Sequence, residues 1–139
     1  MRRVFVDAGP IVALLEQGDR RHHWMRDLIA STQGPLFTCE PVLTEATHIM
    51  RRRSGGRAAV LDLLGKGFLA LGFRVEPEVD ALQSLISRYD SVPMSLADAC
   101  LVRMTELTPD SAVLTFDTDF RIYRRGGRHA IPVIMPGRN

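Results

Sequence analysis

Lysine is nearly absent from this chain. Of 18 basic residues 17 are arginine, and Lys66 is the exception. Long apolar runs are also missing. No stretch approaches the ~18 uninterrupted residues of a membrane helix, so a helical membrane protein is excluded. Cysteine is scarce. Cys39 and Cys100 lie far apart in the chain and match no metal-binding or redox spacing, which fits reduced, buried thiols in a cytoplasmic protein. Repeats, low-complexity segments and linkers are absent as well. The 139 residues are therefore expected to form one domain, 1–139, with a single core.

The residues present are those of an ordinary globular chain, 45% apolar and 24% charged, so a core can form without disulfides. The opening "MRRVFVDAGP" carries two arginines, but Asp7 and Pro10 interrupt its apolar run. It reads as a first strand and not as a signal peptide. The arginine excess has a neutral explanation in genome composition and a functional one in phosphate recognition, which arginine performs bidentately. Two clusters, "RRRSGGR" (51–57) and "RIYRRGGR" (121–128), suit surface loops near a polyanion, although either also fits a solvated face.

Apolar periodicity predicts alternating strands and helices. "RRVFVD" is a strand, followed by the helices "PIVALLEQG" and "DRRHHWMRDLIAST". "PLFTC" is a second strand. "EPVLTEATHIMRRR" is a helix with Pro41 in its first turn, and "RAAVLDLLGKG" is another. "FRVEP" reads as a third strand, then "EVDALQSLISRY" as a helix with Val79, Leu82, Leu85 and Ile86 on one face. "SLADACLVRMTEL" is a helix opened by Ser95, and "SAVLTF" is a fourth strand. "IPVIM" is a fifth, placed at an edge because Pro132 cannot donate to a ladder. This order predicts an α/β domain with a mostly parallel sheet of four or five strands. Functional sites in such sheets form at the carboxyl ends of the strands.

The acids gather at that edge. Asp7 ends the first strand, and Asp117 and Asp119 follow the fourth. Glu45 lies about one turn into the helix after the second strand, and Asp98 lies in the first turn of its own helix. Helical side chains lean toward the N-terminus, so Glu45 and Asp98 can aim at the edge that holds Asp7 and Asp117. Each acid also has a local explanation. Asp7 could serve a turn, Glu45 a solvent face, Asp98 a capping box with Ser95, and Asp117 a helix cap. Together they suggest one acidic pocket. Two carboxylates ~4 Å apart repel by about 4 kcal/mol at an effective dielectric of ~20. Protonation or a divalent cation with oxygen ligands, Mg²⁺ or Mn²⁺, would relieve this. The chemistry that such a pocket suggests is phosphodiester hydrolysis.

The segments "VFVDAGPIVALL", "EPVLTEATHIM", "SLADACLVRM" and "AVLTFDTDF" together resemble the PIN-domain ribonucleases, and most closely the toxins of VapBC toxin–antitoxin systems. The resemblance spans nearly the whole chain. It implies a three-layer α/β/α fold and a metal-dependent ribonuclease, a hydrolase. By motif match, Asp7, Glu45, Asp98 and Asp117 form the catalytic acidic cluster, with Asp7, Asp98 and Asp117 as metal ligands for Mg²⁺ or Mn²⁺. Asp119 is an accessory acid, and Thr115 supports the cluster by hydrogen bonding. The resemblance further implies an RNA substrate, a VapB-type antitoxin, a homodimer, no membrane and a cytoplasmic location. The chain departs from the pattern at Ala8, where the family often carries a hydroxyl.

Arg121 and Arg124 are candidate RNA contacts, as are Arg88 and Arg103. Trp24 and Tyr123 could stack bases, although Trp24 also suits a core or dimer face. His22 and His23 read as surface residues, and His48 could touch Glu45. Two alternatives stay within the family: a stand-alone PIN nuclease in RNA processing, and a non-catalytic RNA- or protein-binding module. A phospho-accepting receiver domain is a third. It would need paired acids at the first strand and a lysine after the last, and this chain has only Asp7 at the first strand and Lys66 in a helical stretch.

Overall fold

The computed structural model describes residues 2–137. Five strands form one parallel sheet: β1 (Arg3–Val6), β2 (Leu36–Thr38), β3 (Leu69–Leu71), β4 (Ser111–Leu114) and a last strand, Val133–Ile134. Their order is β3-β2-β1-β4 followed by that last strand, which therefore lies at an edge as its proline predicts. The chain winds outward from β1 through β2 to β3, then returns to place β4 on the other side of β1. The β1–β4 boundary is thus the point where strand order reverses, which is where open α/β sheets form their binding crevice. Register is continuous across it, from Arg3 opposite Ser111 to Val6 opposite Leu114.

Helices flank the sheet in a three-layer α/β/α arrangement: α1 (Ala8–Leu15), α2 (His22–Ser31), α3 (Glu40–Ile49), α4 (Gly56–Gly65), α5 (Val79–Arg88) and α6 (Leu96–Leu107). β1 and β4 are apolar enough to be covered on both sides: Phe5, Val6, Val113 and Leu114 are all buried. α6 packs on both strands and contributes Cys100, Leu101 and Val102 to the core. On α5 only Leu82 and Leu85 are buried, whereas Val79 and Ile86 remain exposed, so its apolar stripe is narrower than the sequence suggests.

Two strand assignments change. The third strand is Leu69–Leu71, not "FRVEP". β3 pairs with β2 through Leu36 opposite Leu69, while Glu76–Glu78 forms a single 3₁₀ turn. The chain turns into β3 at Gly67, whose φ of +83° suits glycine. In addition, the basic segment 121–128 is partly a small antiparallel hairpin of β5 (Arg124–Arg125) and β6 (His129–Ala130). The edge strand Val133–Ile134 becomes β7.

Candidate active site

The acids sit where β1 and β4 end side by side. Asp7 directly follows β1 and caps α1: the Ala8 amide donates to Asp7 Oδ1 at 2.8 Å. The Thr115 hydroxyl, completely buried after β4, donates to Asp7 Oδ2 at 2.8 Å. The same hydroxyl accepts the Asp117 amide at 3.0 Å. Thr115 therefore joins the two strand ends and fixes the start of the next turn. From β2, Thr38 reinforces this edge by donating to the Val6 carbonyl at 2.8 Å.

The other acids approach from helix starts. Because α6 runs antiparallel to the strand it feeds, its N-terminus lies at the carboxyl edge. There Ser95 and Asp98 form a capping box, each side chain accepting the other's amide at 3.0 Å. Asp117 caps the 3₁₀ turn Thr118–Arg121 by accepting the Asp119 amide at 2.9 Å. Glu45 lies half-buried in α3, the helix that follows β2.

These positions place the four acids within one another's fields. Burial raises Asp7 above the usual carboxylate range, with further upward pressure from Asp98 and Asp117, against the downward pull of its bonds from Thr115 and Ala8. Burial also raises Glu45, and the charges of Asp7, Asp98 and Asp117 push the same way. Asp98 is raised by burial and then by Asp117, while its capping bonds lower it. No ion pair among the described residues offsets this. The ion pairs among the described residues are Arg53–Glu16, Lys66–Asp62, Arg103–Glu78 and Arg103–Glu106, so none involves the four acids.

An all-carboxylate donor set suits Mg²⁺ or Mn²⁺. Among the described residues, no three His, Cys, Asp or Glu side chains form a ready-made cage. Mg²⁺ commonly binds through one or two carboxylates, with water and substrate phosphate completing its shell, so the residues present fit that ion in an open site.

Several sequence expectations change here. Tyr123 cannot stack bases. It is fully buried against Tyr89 and Phe120, with ring centroids 5.1 and 5.2 Å away, and its hydroxyl lies 3.4 Å from Asp98 Oδ2. His22 is buried, with Nδ1 2.8 Å from the Ala13 carbonyl oxygen, while His23 is exposed as expected. His48 is exposed, and its carbonyl accepts from Arg51. Arg124 Nη1 donates to the carbonyls of Arg121, Ile122 and Tyr123, and Arg121 reaches Met135 Sδ at 3.5 Å. Arg103 is engaged with Glu78 and Glu106, and Arg88 donates to the Gly127 carbonyl. Cys39 and Cys100, remote in sequence, meet in the core. The hydrogen bond from Cys39 to Cys100, aided by burial, keeps the Cys39 thiol protonated.

Comparison with known proteins agrees with this architecture. No curated protein matches the chain. The crystal structure of VapC20 from Mycobacterium tuberculosis, described as a toxin that cleaves the sarcin-ricin loop, superposes with a TM-score of 0.76 at 24% identity, covering 93% of this chain and 99% of that one. The family model for the PIN domain matches residues 4–126, which include all four acids. This chain belongs to the PIN-domain family.

Proposed function

We propose that this protein is a metal-dependent endoribonuclease, the toxin of a type II toxin–antitoxin pair. The observation that carries the reading is the uncompensated acidic cluster. In a chain with 17 arginines, Asp7, Glu45, Asp98 and Asp117 share one edge without an arginine partner among the described residues. Such an arrangement destabilises the protein unless protons or a cation join it. Family membership supports the nuclease assignment, and the likeness to VapC20 supports the toxin role.

Asp7, Asp98 and Asp117 would hold the cation, Mg²⁺ with Mn²⁺ able to substitute. Bound there, it would supply Lewis acidity for the phosphate and a more acidic attacking water. The protein's part is placement. Thr115 holds Asp7, the capping box holds Asp98, and the 3₁₀ turn holds Asp117. Glu45, raised by burial and by the charges of Asp7, Asp98 and Asp117, is the carboxylate that would take a proton from the attacking water. Asp119, in the turn that Asp117 caps, is an accessory acid, and Arg121 on the exposed surface is a candidate phosphate contact. The toxin reading entails a VapB-type antitoxin and a homodimer, and the described residues include no helix long and apolar enough to cross a membrane.

The test is cleavage of RNA by antitoxin-free protein in Mn²⁺, in EDTA, and with Asp98→Asn. Cleavage that needs both the metal and Asp98 is the expected result. Equal cleavage in EDTA would overturn the proposal.

A further inference from the structure

Resting on that nuclease reading, we propose that Arg21, laid over the ring of Phe116, binds the RNA backbone beside the scissile phosphate. Phe116 stands between Thr115 and Asp117 in the chain, one residue from each. It packs over the first turn of α1, where a Cβ added to Gly9 would lie 3.2 Å from Phe116 Cδ2. α2 approaches this ring from the other side. The Arg21 guanidinium carbon lies 4.5 Å from its centroid, and Trp24 meets it edge-on at 6.0 Å. Arg21 is the N-cap residue of α2 and Trp24 lies in its first turn, so both reach the same ring from one helix end.

Arg21 differs from many of the arginines in what its guanidinium is free to do. Arg53, Arg103, Arg88, Arg124 and Arg125 are committed to carboxylates or carbonyls. The guanidinium of Arg21 has no ion pair or hydrogen bond among the described residues, and the side chain is half-exposed. Two other arginines lie over rings, but Arg3 over Phe37 sits at the start of β1, the opposite edge, and Arg88 over Tyr89 is tied to Gly127. Arg21 combines an aromatic support with a fork unengaged among the described residues, and its supporting ring belongs to the residue next to Asp117. Stacking holds the planar fork without using its donors, so little further order is lost when it grips a phosphate. A cation here also answers an electrostatic need, because a phosphodiester approaching four carboxylates is otherwise repelled.

The experiment is steady-state cleavage of a labelled single-stranded oligoribonucleotide in Mn²⁺ by wild type, Arg21→Gln, Phe116→Leu and Arg26→Gln. Arg26 is exposed on α2, the helix that follows Arg21, and serves as the control. Arg21→Gln should raise KM about tenfold with kcat within about twofold, and should flatten the log–log salt dependence of binding by about 0.7. Phe116→Leu should raise KM by a smaller factor, and Arg26→Gln should match wild type. An unchanged KM in Arg21→Gln, or a loss confined to kcat, overturns the proposal while leaving the nuclease reading intact. A wild type that cleaves no RNA removes both.

Discussion

Thr115→Val isolates the contact that joins the ends of β1 and β4. The replacement keeps shape and removes one hydroxyl from a completely buried site. Two hydrogen bonds disappear. The one to Asp7 Oδ2, at 2.8 Å, is charge-assisted and buried, and losing it costs about 1.5–3 kcal/mol. The one from the Asp117 amide, at 3.0 Å, costs less, about 0.5 kcal/mol, because Asp117 is exposed and its amide can turn to water. The added methyl group returns part of this, so the net loss is about 2 kcal/mol. For a chain of this length the unfolding entropy converts 1 kcal/mol to about 3–4 °C, so Tm should fall by about 7 °C at pH 7.5.

The pH dependence tests the cause. The hydroxyl stabilises the carboxylate form of Asp7, so removing it raises an already raised pKa further. Above the variant's higher pKa, Asp7 is ionised in both proteins and the full difference is expressed. Below the wild-type value it is protonated in both, and only a neutral hydrogen bond is lost. The gap in Tm should therefore narrow as pH falls toward about 4, the unfolded-state pKa. Paired thermal melts from pH 7.5 to 4 in EDTA measure it. A gap of constant size, or one below about 2 °C at pH 7.5, refutes the argument.

Glu45→Gln should stabilise the metal-free protein at pH 7.5 by about 0.5 kcal/mol, a small gain because the site is partly screened by solvent. Glu45 is raised in the folded state, so the native protein binds more protons than the unfolded chain between the two pKa values. Wild-type stability thus falls as pH rises through that window, and melts should show the variant's advantage vanish near pH 4. Mn²⁺ at ten times its Kd should stabilise wild type by about 1.4 kcal/mol, and calorimetry should find Asp98→Asn bound far more weakly. Arg124→Ala should lower Tm by several degrees through the loss of its carbonyl contacts, whereas Arg121→Ala should leave Tm within about 1 °C of wild type by differential scanning fluorimetry.

The sequence made the acids legible because strand ends carry strong local signals. "VFVD" and "AVLTFD" each end an apolar run on a carboxylate, and Ser95 with Asp98 marks a helix start. The parallel sheet and its edge strand follow from the same alternation of patterns. The third strand was harder to place, because "LDLLGKGFLAL" merges a helix and a strand into one apolar stretch, and only the left-handed turn at Gly67 separates them. Phe73 is nonetheless buried, so "FRVEP" carries a core residue without pairing in a sheet. Tyr123, His22 and the Cys39–Cys100 contact were hidden for another reason. Each is defined by a partner distant in sequence, Asp98 for Tyr123 and the Ala13 carbonyl for His22, and no local pattern announces such a partner.

Capping and the proposed metal binding look like rival explanations for these acids, yet the one does not exclude the other. A carboxylate has two oxygens and about four acceptor positions. Asp98 uses Oδ2 for the Ser95 amide and the Tyr123 hydroxyl, and Asp117 uses Oδ1 for the Asp119 amide. Asp98 Oδ1 and Asp117 Oδ2 accept no hydrogen bond among the described residues, and both acids retain solvent access. The cap therefore fixes one oxygen and leaves the other directed by a rigid backbone. Asp7 differs, because both of its oxygens are engaged and it is the most buried of the four. Its carboxylate is held in place by Thr115 and the start of α1, while Asp98 and Asp117 each keep an oxygen that accepts no hydrogen bond among the described residues. On the proposed function, the local bonds that explain each acid singly are thus also the bonds that would orient the group toward a cation.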